Sequence, residues 1–338
     1  MMEYYLAMLR FKTAVHFGDA SIGNLTDVLP MCHSDTFYSA LCSEASSSGL
    51  LDQLHKATSS GKVIFSSLLP WYQENQKSEI MLYVPRPSLP HIAKSENEVF
   101  DFSEAKEASG ERKKIKKQLY VRASNLFSGN QVMAGLPTFG MTSNDIHFNG
   151  RTRKPYDLGS YTFVPYAGLY IAIGAADDTD IGWLMRLIYM LGLSGIGGRR
   201  SSGYGCFEVL GAEGIDGLQH IEDAFQKLSG NGGDDRAALY KMLVASNAHA
   251  QIAMSLLLPT KDETIEASKG YGRMIRRGGF AYSSDMKSPH HTGSVYMMSE
   301  GSCFAERLDG RIADVSGGLL PHPVYKYGKG MYLGVKNL

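Results

Sequence analysis

The apolar positions change period several times along the chain, and each change marks a short element. Residues 4–17 alternate, with Arg10 and Lys12 set against Leu9 and Phe11, which predicts a half-buried strand with His16 near its end. Residues 18–30 are rich in Gly, Asn, Asp and Ser and read as loop. Ser34 or Asp35 then caps a helix whose Phe37, Ala40, Leu41 and Ala45 share one face, with Gly49 near its stop. Residues 63–69 and 79–84 predict two strands, the second closed by Pro85, Pro87 and Pro90. Residues 161–173 have strand character, with Pro165 as an interruption. Leu184, Leu187, Ile188 and Leu191 fall at i, i+3, i+4 and i+7 behind Thr179 or Asp180 as cap, and 206–210 reads as a strand.

Residues 88–158 break this rhythm and read as a long insertion carrying a hairpin or loop, with its tip at 144–150. An acidic run at 101–107 is followed by Arg112, Lys113, Lys114, Lys116, Lys117 and Arg122, and a second basic cluster is Arg151, Arg153 and Lys154. A lone basic run is ordinarily a solvated face. The nearby Tyr120 and Phe127 and the second cluster make an RNA-facing insertion comparably attractive. With the insertion set aside, the order approximates β-α-β-β-α-β, so residues 1–212 are expected to form one ferredoxin-like, RRM-like domain of an α+β protein.

Residues 213–338 are less regular. A connector leads at 232–235 into a helix with Leu239, Met242 and Leu243, and 251–258 is an apolar strand ended by Pro259. Lys269, Arg273, Arg276 and Arg277 alternate loosely with Tyr271, Met274 and Ile275, ahead of Gly278-Gly279. Further strands are expected at 295–298, 303–306 and 324–335.

The richest stretch chemically lies between the second helix and its strand, at 192–205. Six of these fourteen residues are glycine, and Arg199, Arg200, Ser201 and Ser202 stand among them. Glycine permits positive φ and close backbone approach. Amides freed in such a turn make a concave anion site, and arginine adds a planar fork suited to phosphate. The alternative is a plain αβ turn with exposed charges; the paired arginines favour the anion. The order helix, loop, strand is the reverse of nucleotide P-loops and dinucleotide folds, and neither motif is present.

Composition narrows the partners. The 338 residues are 43% hydrophobic and 20% charged, ordinary for a globular chain large enough for two domains. Lys plus Arg equals Asp plus Glu at 34 each, so nucleic-acid binding must rest on local patches. The four cysteines form no C-x-x-C and read as reduced thiols; no metal or cofactor site is expected. The start lacks a basic segment followed by a long apolar one, and no apolar run approaches the roughly 20 residues of a membrane span. A cytoplasmic, non-membrane protein is expected.

The catalytic inventory is short. His16 is the one residue to weigh as a general base, without a lysine–tyrosine constellation beside it. His290-His291 reads as an exposed pair, and Asp177, Asp178 and Asp180 are explained by a helix start.

A helix followed by G-x-G-G-x-R-S-x-G-x-G and a strand resembles the signature of the RAMP superfamily of CRISPR RNA-binding proteins. It runs here from Gly195 to Gly205, with Arg200 and Ser201 at the R-S positions. Further pieces resemble the subunit-four family of the type III-A (Csm) effector complex. These are His16-Phe17-Gly18, residues 34–41, 82–87 and 116–120, Gly278 to Ser283, and Pro321 to Val324.

The resemblance implies a second, irregular ferredoxin-like domain over 213–338. It implies a non-catalytic subunit that anchors the 5′ tag of the CRISPR RNA and contacts the large polymerase-like subunit and the backbone RAMP subunit in antiviral defence. The expected RNA contacts are Gly195, Gly197, Gly198, Arg199, Arg200, Ser201, Ser202 and Gly203, then Arg273, Arg276 and Arg277. His16, Lys113, Lys114, Lys116, Lys117, Arg151, Arg153 and Lys154 are expected to face RNA or a neighbouring subunit. The alternative is a metal-independent CRISPR RNA endoribonuclease using His16, since some RAMP relatives cut by histidine chemistry.

Overall fold

The computed structural model describes residues 2–18, 25–88, 118–129, 136–148, 154–177, 179–211, 221–231, 233–281, 290–318, 320 and 322–336. Arg112, Lys113, Lys114, Lys116, Lys117, Arg151, Arg153 and the acidic run at 101–107 lie outside the described residues.

The first part runs β1 (Met2–Phe11), α1 (Ser34–Ser47), α2 (Leu51–Ser59), β2 (Val63–Phe65), β3 (Leu69–Tyr72), β4 (Met81–Pro85), β5 (Tyr120–Arg122) and α3 (Ala123–Ser128). It continues through β6 (Gly140–Phe148), β7 (Pro155–Phe163), β8 (Ala167–Ala176), α4 (Gly182–Ser194) and β9 (Phe207–Val209). The chain is a mixed α/β protein built on antiparallel sheets. β9 flanks β1, β1 flanks β8, and β8 flanks both β2 and β3, every pair antiparallel. The β1–β8 register runs from Met2 opposite Ala176 to Leu9 opposite Leu169.

Two predicted strands are each divided, for local reasons. Between β2 and β3, Ser66 and Ser67 turn inward: Ser66 Oγ accepts the Ala172 N–H at 2.9 Å, and Ser67 donates its N–H to Met254 O at 2.9 Å. At the other break, Pro165 occupies the second position of a turn. Tyr166 takes φ 62° and Ala167 donates its N–H to Val164 O at 3.2 Å. Residues 161–173 therefore belong to two sheets. β7 pairs with β6 in a two-stranded ribbon, Gly140 opposite Phe163 through Phe148 opposite Pro155, and β8 joins the main sheet. Asn144 to Phe148, expected at a loop tip, are strand residues of that ribbon.

The second part runs β10 (Gln226–Lys227), α5 (Asp234–Val244), β11 (Ala250–Ala253), β12 (Met274–Arg277), β13 (Phe280–Ala281) and β14 (His290–His291). Then come β15 (Val295–Met298), β16 (Cys303–Phe304), β17 (Gly310–Asp314), β18 (Tyr325–Lys329) and β19 (Tyr332–Val335). β16, β11 and β19 form one sheet; β12–β15, β13–β14 and β17–β18 are separate antiparallel pairs.

Alternation along β1 decides how the parts meet. Ala7 and Leu9 face a core completed by Leu41 of α1 and Leu184, Leu187 and Leu191 of α4. Tyr4, Leu6 and Met8 face the opposite core, completed by Leu239, Met242 and Leu243 of α5 and by Ile252 and Leu333. Each fully buried leucine contributes roughly 1.5–3 kcal/mol. Both faces of the sheet are covered, so neither is open for base stacking in the RRM manner.

Capping follows tertiary demand. The α1 N-cap is His33, in extended conformation, whose carbonyl accepts the N–H groups of Thr36 and Phe37 at 3.0 Å. Ser34 and Asp35, expected as caps, are already helical, and both reach the second part: Ser34 Oγ accepts the Leu256 N–H at 3.1 Å. At α4 the cap position is Ile181, and the Asp180 carboxylate accepts the Gly182 N–H at 2.8 Å.

Candidate nucleic-acid interface

α4 ends at Ser194, and the glycine loop folds back on the segment that follows β1. Gly198 donates its N–H to His16 O at 2.9 Å, Gly205 to Ala14 O at 2.9 Å, and Ile196 to Gly205 O at 3.0 Å. Gly195, Ser202 and Gly203 also donate within the protein, to Leu191 O, Arg199 O and Arg200 O. The amides of Gly197, Arg199, Arg200 and Ser201 are left without a partner among the described residues. This corrects the expectation that the whole run from Gly195 to Gly203 offers amides to an anion.

The glycines have a second reason to be glycine. Gly195, Gly197 and Gly205 take φ of 81°, 92° and 78°, and a Cβ at Gly197 would lie 2.8 Å from His16 O. A Cβ at Gly205 would collide with the Ile196 carbonyl. Only Gly203, also at positive φ, faces open space. Gly197 and Gly198 thus let the loop pack against His16 and Phe17, Gly195 and Gly205 let it close on itself, and its exposed rim carries Arg199, Arg200, Ser201 and Ser202.

Both arginines are held. Arg199 is itself left-handed, φ 64°, and its guanidinium lies 4.8 Å from the centre of the Tyr156 ring on β7. Arg200 Nη2 donates to Glu44 Oε1 of α1 at 2.8 Å, and Ser194 Oγ donates to the same oxygen at 2.6 Å. The pair is part-exposed, so Arg200 is positioned rather than sealed.

Beside the rim opens a cavity of about 460 Å³, walled by His16, Gly197, Gly198, Arg200, Thr36 and Phe280. A second cavity of about 650 Å³ shares Thr36, Ser39, Ser43, Gly279 and Phe280 with it and extends to His322 and Lys326. Together they form one groove with α1 on one bank and the second part on the other. Pieces that the chain keeps far apart meet here: His16-Phe17-Gly18, Thr36 to Ala40, the glycine loop, and Gly279-Phe280. Ser39, Phe280 and His322 lie in the resembling pieces without being assigned to the site, and sequence reasoning missed Ser43 and Lys326. The i, i+4, i+7 spacing of Ser39, Ser43 and Ser46, opposite the apolar face of Phe37, Leu41 and Ala45, is the available signal.

His16 Nδ1 lies 2.7 Å from Gly159 O; a carbonyl only accepts, so Nδ1 donates, and the ring forms part of the cavity wall. No lysine or tyrosine among the described residues lines that cavity. Arg273 and Arg276 are exposed on and just before β12, away from the groove walls, and Lys154 is exposed next to β7. Arg277 departs from expectation. It is 4% exposed, and its guanidinium binds both oxygens of Asp35, so it is not available to RNA. Burial alone would raise the Asp35 carboxyl, but Arg277 and Lys326 outweigh it and hold it below the usual carboxylate range. Glu300, facing His33 at 2.8 Å, is likewise lowered against its own burial. His290-His291 is strand, with the His291 ring against that of Phe280. Among the described residues no group of three or more His, Cys, Asp or Glu side chains could hold a metal, and no helix is long and apolar enough to cross a membrane.

An antiparallel α/β sheet whose helix–glycine loop–strand unit borders a groove defines a class. The chain belongs to the RAMP superfamily, whose model matches residues 8–208. Residues 246–335 match the model of the CRISPR Csm4 C-terminal domain. The chain is 27% identical over 334 residues to CRISPR system Cms protein Csm4 of Mycobacterium tuberculosis (strain ATCC 25618 / H37Rv), covering 95% of this chain and 94% of the relative. It is 26% identical over 341 residues to the Csm4 protein of Streptococcus thermophilus, covering 98% of each. Its fold is shared with a chain of the Csm3-Csm4 subcomplex in the type III-A CRISPR-Cas interference complex. The TM-score is 0.54 at 15% identity, over 98% of this chain and 99% of that one. A chain of the Csm1-Csm4 cassette in complex with pppApApA gives 0.53 at 15% identity, over 100% and 99%.

Proposed function

We propose that this chain is the RNA-holding, non-cleaving subunit of a type III-A CRISPR interference complex. Its groove takes the sugar-phosphate backbone of the 5′ tag of the CRISPR RNA, and its outer surfaces join a Csm1-type large subunit to a Csm3-type backbone subunit in the cytoplasm. The observation that carries the reading is the continuity between the arginine-bearing rim of the glycine loop and the groove along α1. The amides of Gly197, Arg199, Arg200 and Ser201 supply a nest for a phosphate, and Arg199 and Arg200 add charge. The relatives' name and the partners in the two solved assemblies support the bridging role.

The same reading takes residues 1–212 as one ferredoxin-like domain and 213–338 as a second, irregular one. The order β9–β1–β8 with β2 and β3, helices α1 and α4 on one face, supports the first.

Filter binding of a single-stranded RNA carrying the tag, to the full chain alone and in the reconstituted complex, tests the proposal. Arg199→Ala with Arg200→Ala is expected to lower affinity and to reduce the slope of log K against log salt by about 1.4, two phosphate contacts' worth. Unchanged affinity and slope would overturn the RNA role. A unique metal-free cut in repeat RNA that disappears in His16→Ala would overturn the non-cleaving role.

A further inference from the structure

We infer that Phe280, backed by His291, is a stacking platform for one unpaired RNA base at the place where the two cavities meet. The inference rests on the RNA-holding role above and adds to it a contact to a base.

Phe280 is 67% exposed and stands at the mouth of the groove, where its apolar ring is open to an occupant. Its ring centre lies 4.0 Å from that of His291 on the paired strand, with the planes tilted by 37°. One face of the phenyl ring is therefore covered and the other faces the groove. Phe280 is part of the wall of both cavities, so an occupant running from one to the other passes it. The preceding Gly279 takes φ 150°, and no atom lies within 4 Å of where its Cβ would stand, which leaves room beside the ring. Across the groove stand the Ser39 and Ser43 hydroxyls of α1, which donate to Tyr325 O and Ser39 O and keep their oxygens as acceptors for a ribose or a base edge.

The platform is rigidly placed. Arg277, three residues upstream, is tied to Asp35 and also donates from Nη2 to Thr36 Oγ1 at 2.9 Å, which fixes the approach to β13 over α1. Thr292, next to His291, donates its N–H to Gly279 O at 3.0 Å. A ring held this way loses little freedom when a base stacks on it, and every base has a π-face, so the contact tolerates sequence.

The test uses the full chain in the reconstituted complex and a single-stranded RNA bearing 4-thiouridine at successive positions, crosslinked by light and mapped by mass spectrometry. One position is expected to crosslink within the peptide carrying Phe280 or His291. Phe280→Ala should weaken binding about 10-fold with an unchanged salt slope, while Phe280→Trp retains affinity. An abasic site at the crosslinked position should weaken wild-type binding by a similar factor and weaken Phe280→Ala no further. Additive losses, or wild-type affinity in Phe280→Ala, would overturn the platform. Wild-type RNA affinity in Phe280→Ala with loss of the neighbouring subunit would reassign the ring to a protein contact. If the wild-type chain binds no RNA in any form, the RNA role itself falls; if Arg199→Ala with Arg200→Ala weakens binding and Phe280→Ala does not, the platform alone falls.

Discussion

Arg277 donates from Nε and Nη2 to the two carboxylate oxygens of Asp35, at 3.0 and 2.8 Å, across 242 residues of sequence. Lys326 Nζ adds a third contact to the same carboxylate at 3.1 Å. Asp35 opens the helix that forms one bank of the groove, and Arg277 ends the strand leading to the other. The pair therefore sets the groove's width. Removing one member of a buried ion pair strands the other and costs about 3–5 kcal/mol. Arg277→Met should lower unfolding free energy by that amount in urea titration, and Asp35→Asn by at least as much, because two cations then lose the carboxylate they share.

The same carboxylate gives an acid limit. Its folded value lies below the 3.8 of a free aspartate, so its stabilisation is complete above about pH 4 and is lost as pH falls through the folded value. Glu300 acts in the same direction. Unfolding free energy measured from pH 7 downward should fall steeply below pH 4 in the wild type and less steeply in Asp35→Asn. Parallel curves would remove Asp35 as the cause.

Two glycines of the loop separate packing from backbone strain. Gly205→Ala meets the Ile196 carbonyl at positive φ, whereas Gly203→Ala meets only the left-handed conformation, worth about 1–2 kcal/mol. Gly205→Ala should be the more destabilising by chemical denaturation. Equal losses would mean that the loop relaxes around Ile196.

Asp235 joins α5 to the main sheet and is 1% exposed. Its carboxylate accepts from Leu82 N at 3.1 Å, Ser124 N at 2.9 Å and Arg122 Nε at 2.8 Å. Asp235→Ala leaves two backbone donors and a guanidinium unmatched, with an expected loss of about 3–5 kcal/mol. A loss under 1 kcal/mol would show that water replaces the carboxylate.

Glu44 competes with any phosphate for Arg200. Glu44→Gln should raise RNA affinity by roughly 2–5-fold at low salt, the scale of a part-exposed ion pair. Unchanged affinity would mean that Arg200 never meets the RNA.

The sequence carried much of the first part because its signals are local. The spacing of Leu184, Leu187, Ile188 and Leu191 gave α4, and the alternation at 9–12 gave β1. What it hid depends on distant partners. Ser34 and Asp35 have the chemistry of caps, yet Leu256, Arg277 and Lys326 draw both side chains elsewhere. Arg277 looked like a surface cation in a loose alternation, and nothing nearby announces Asp35. Pro165 was visible as an interruption, but that it turns the chain into another sheet depends on Tyr166 adopting positive φ. The glycine loop is legible for its anion chemistry, while its glycines answer to His16 and Phe17 at Gly197 and Gly198 and to the loop's own backbone at Gly195 and Gly205.

The covered sheet has a consequence for timing. With no flat stage for an occupant, the crevice needs a bank from α1 and another from residues beyond 270. A nascent chain still threading its last quarter through the ribosome owns only the first bank. Loading must therefore wait until translation has delivered the final strands.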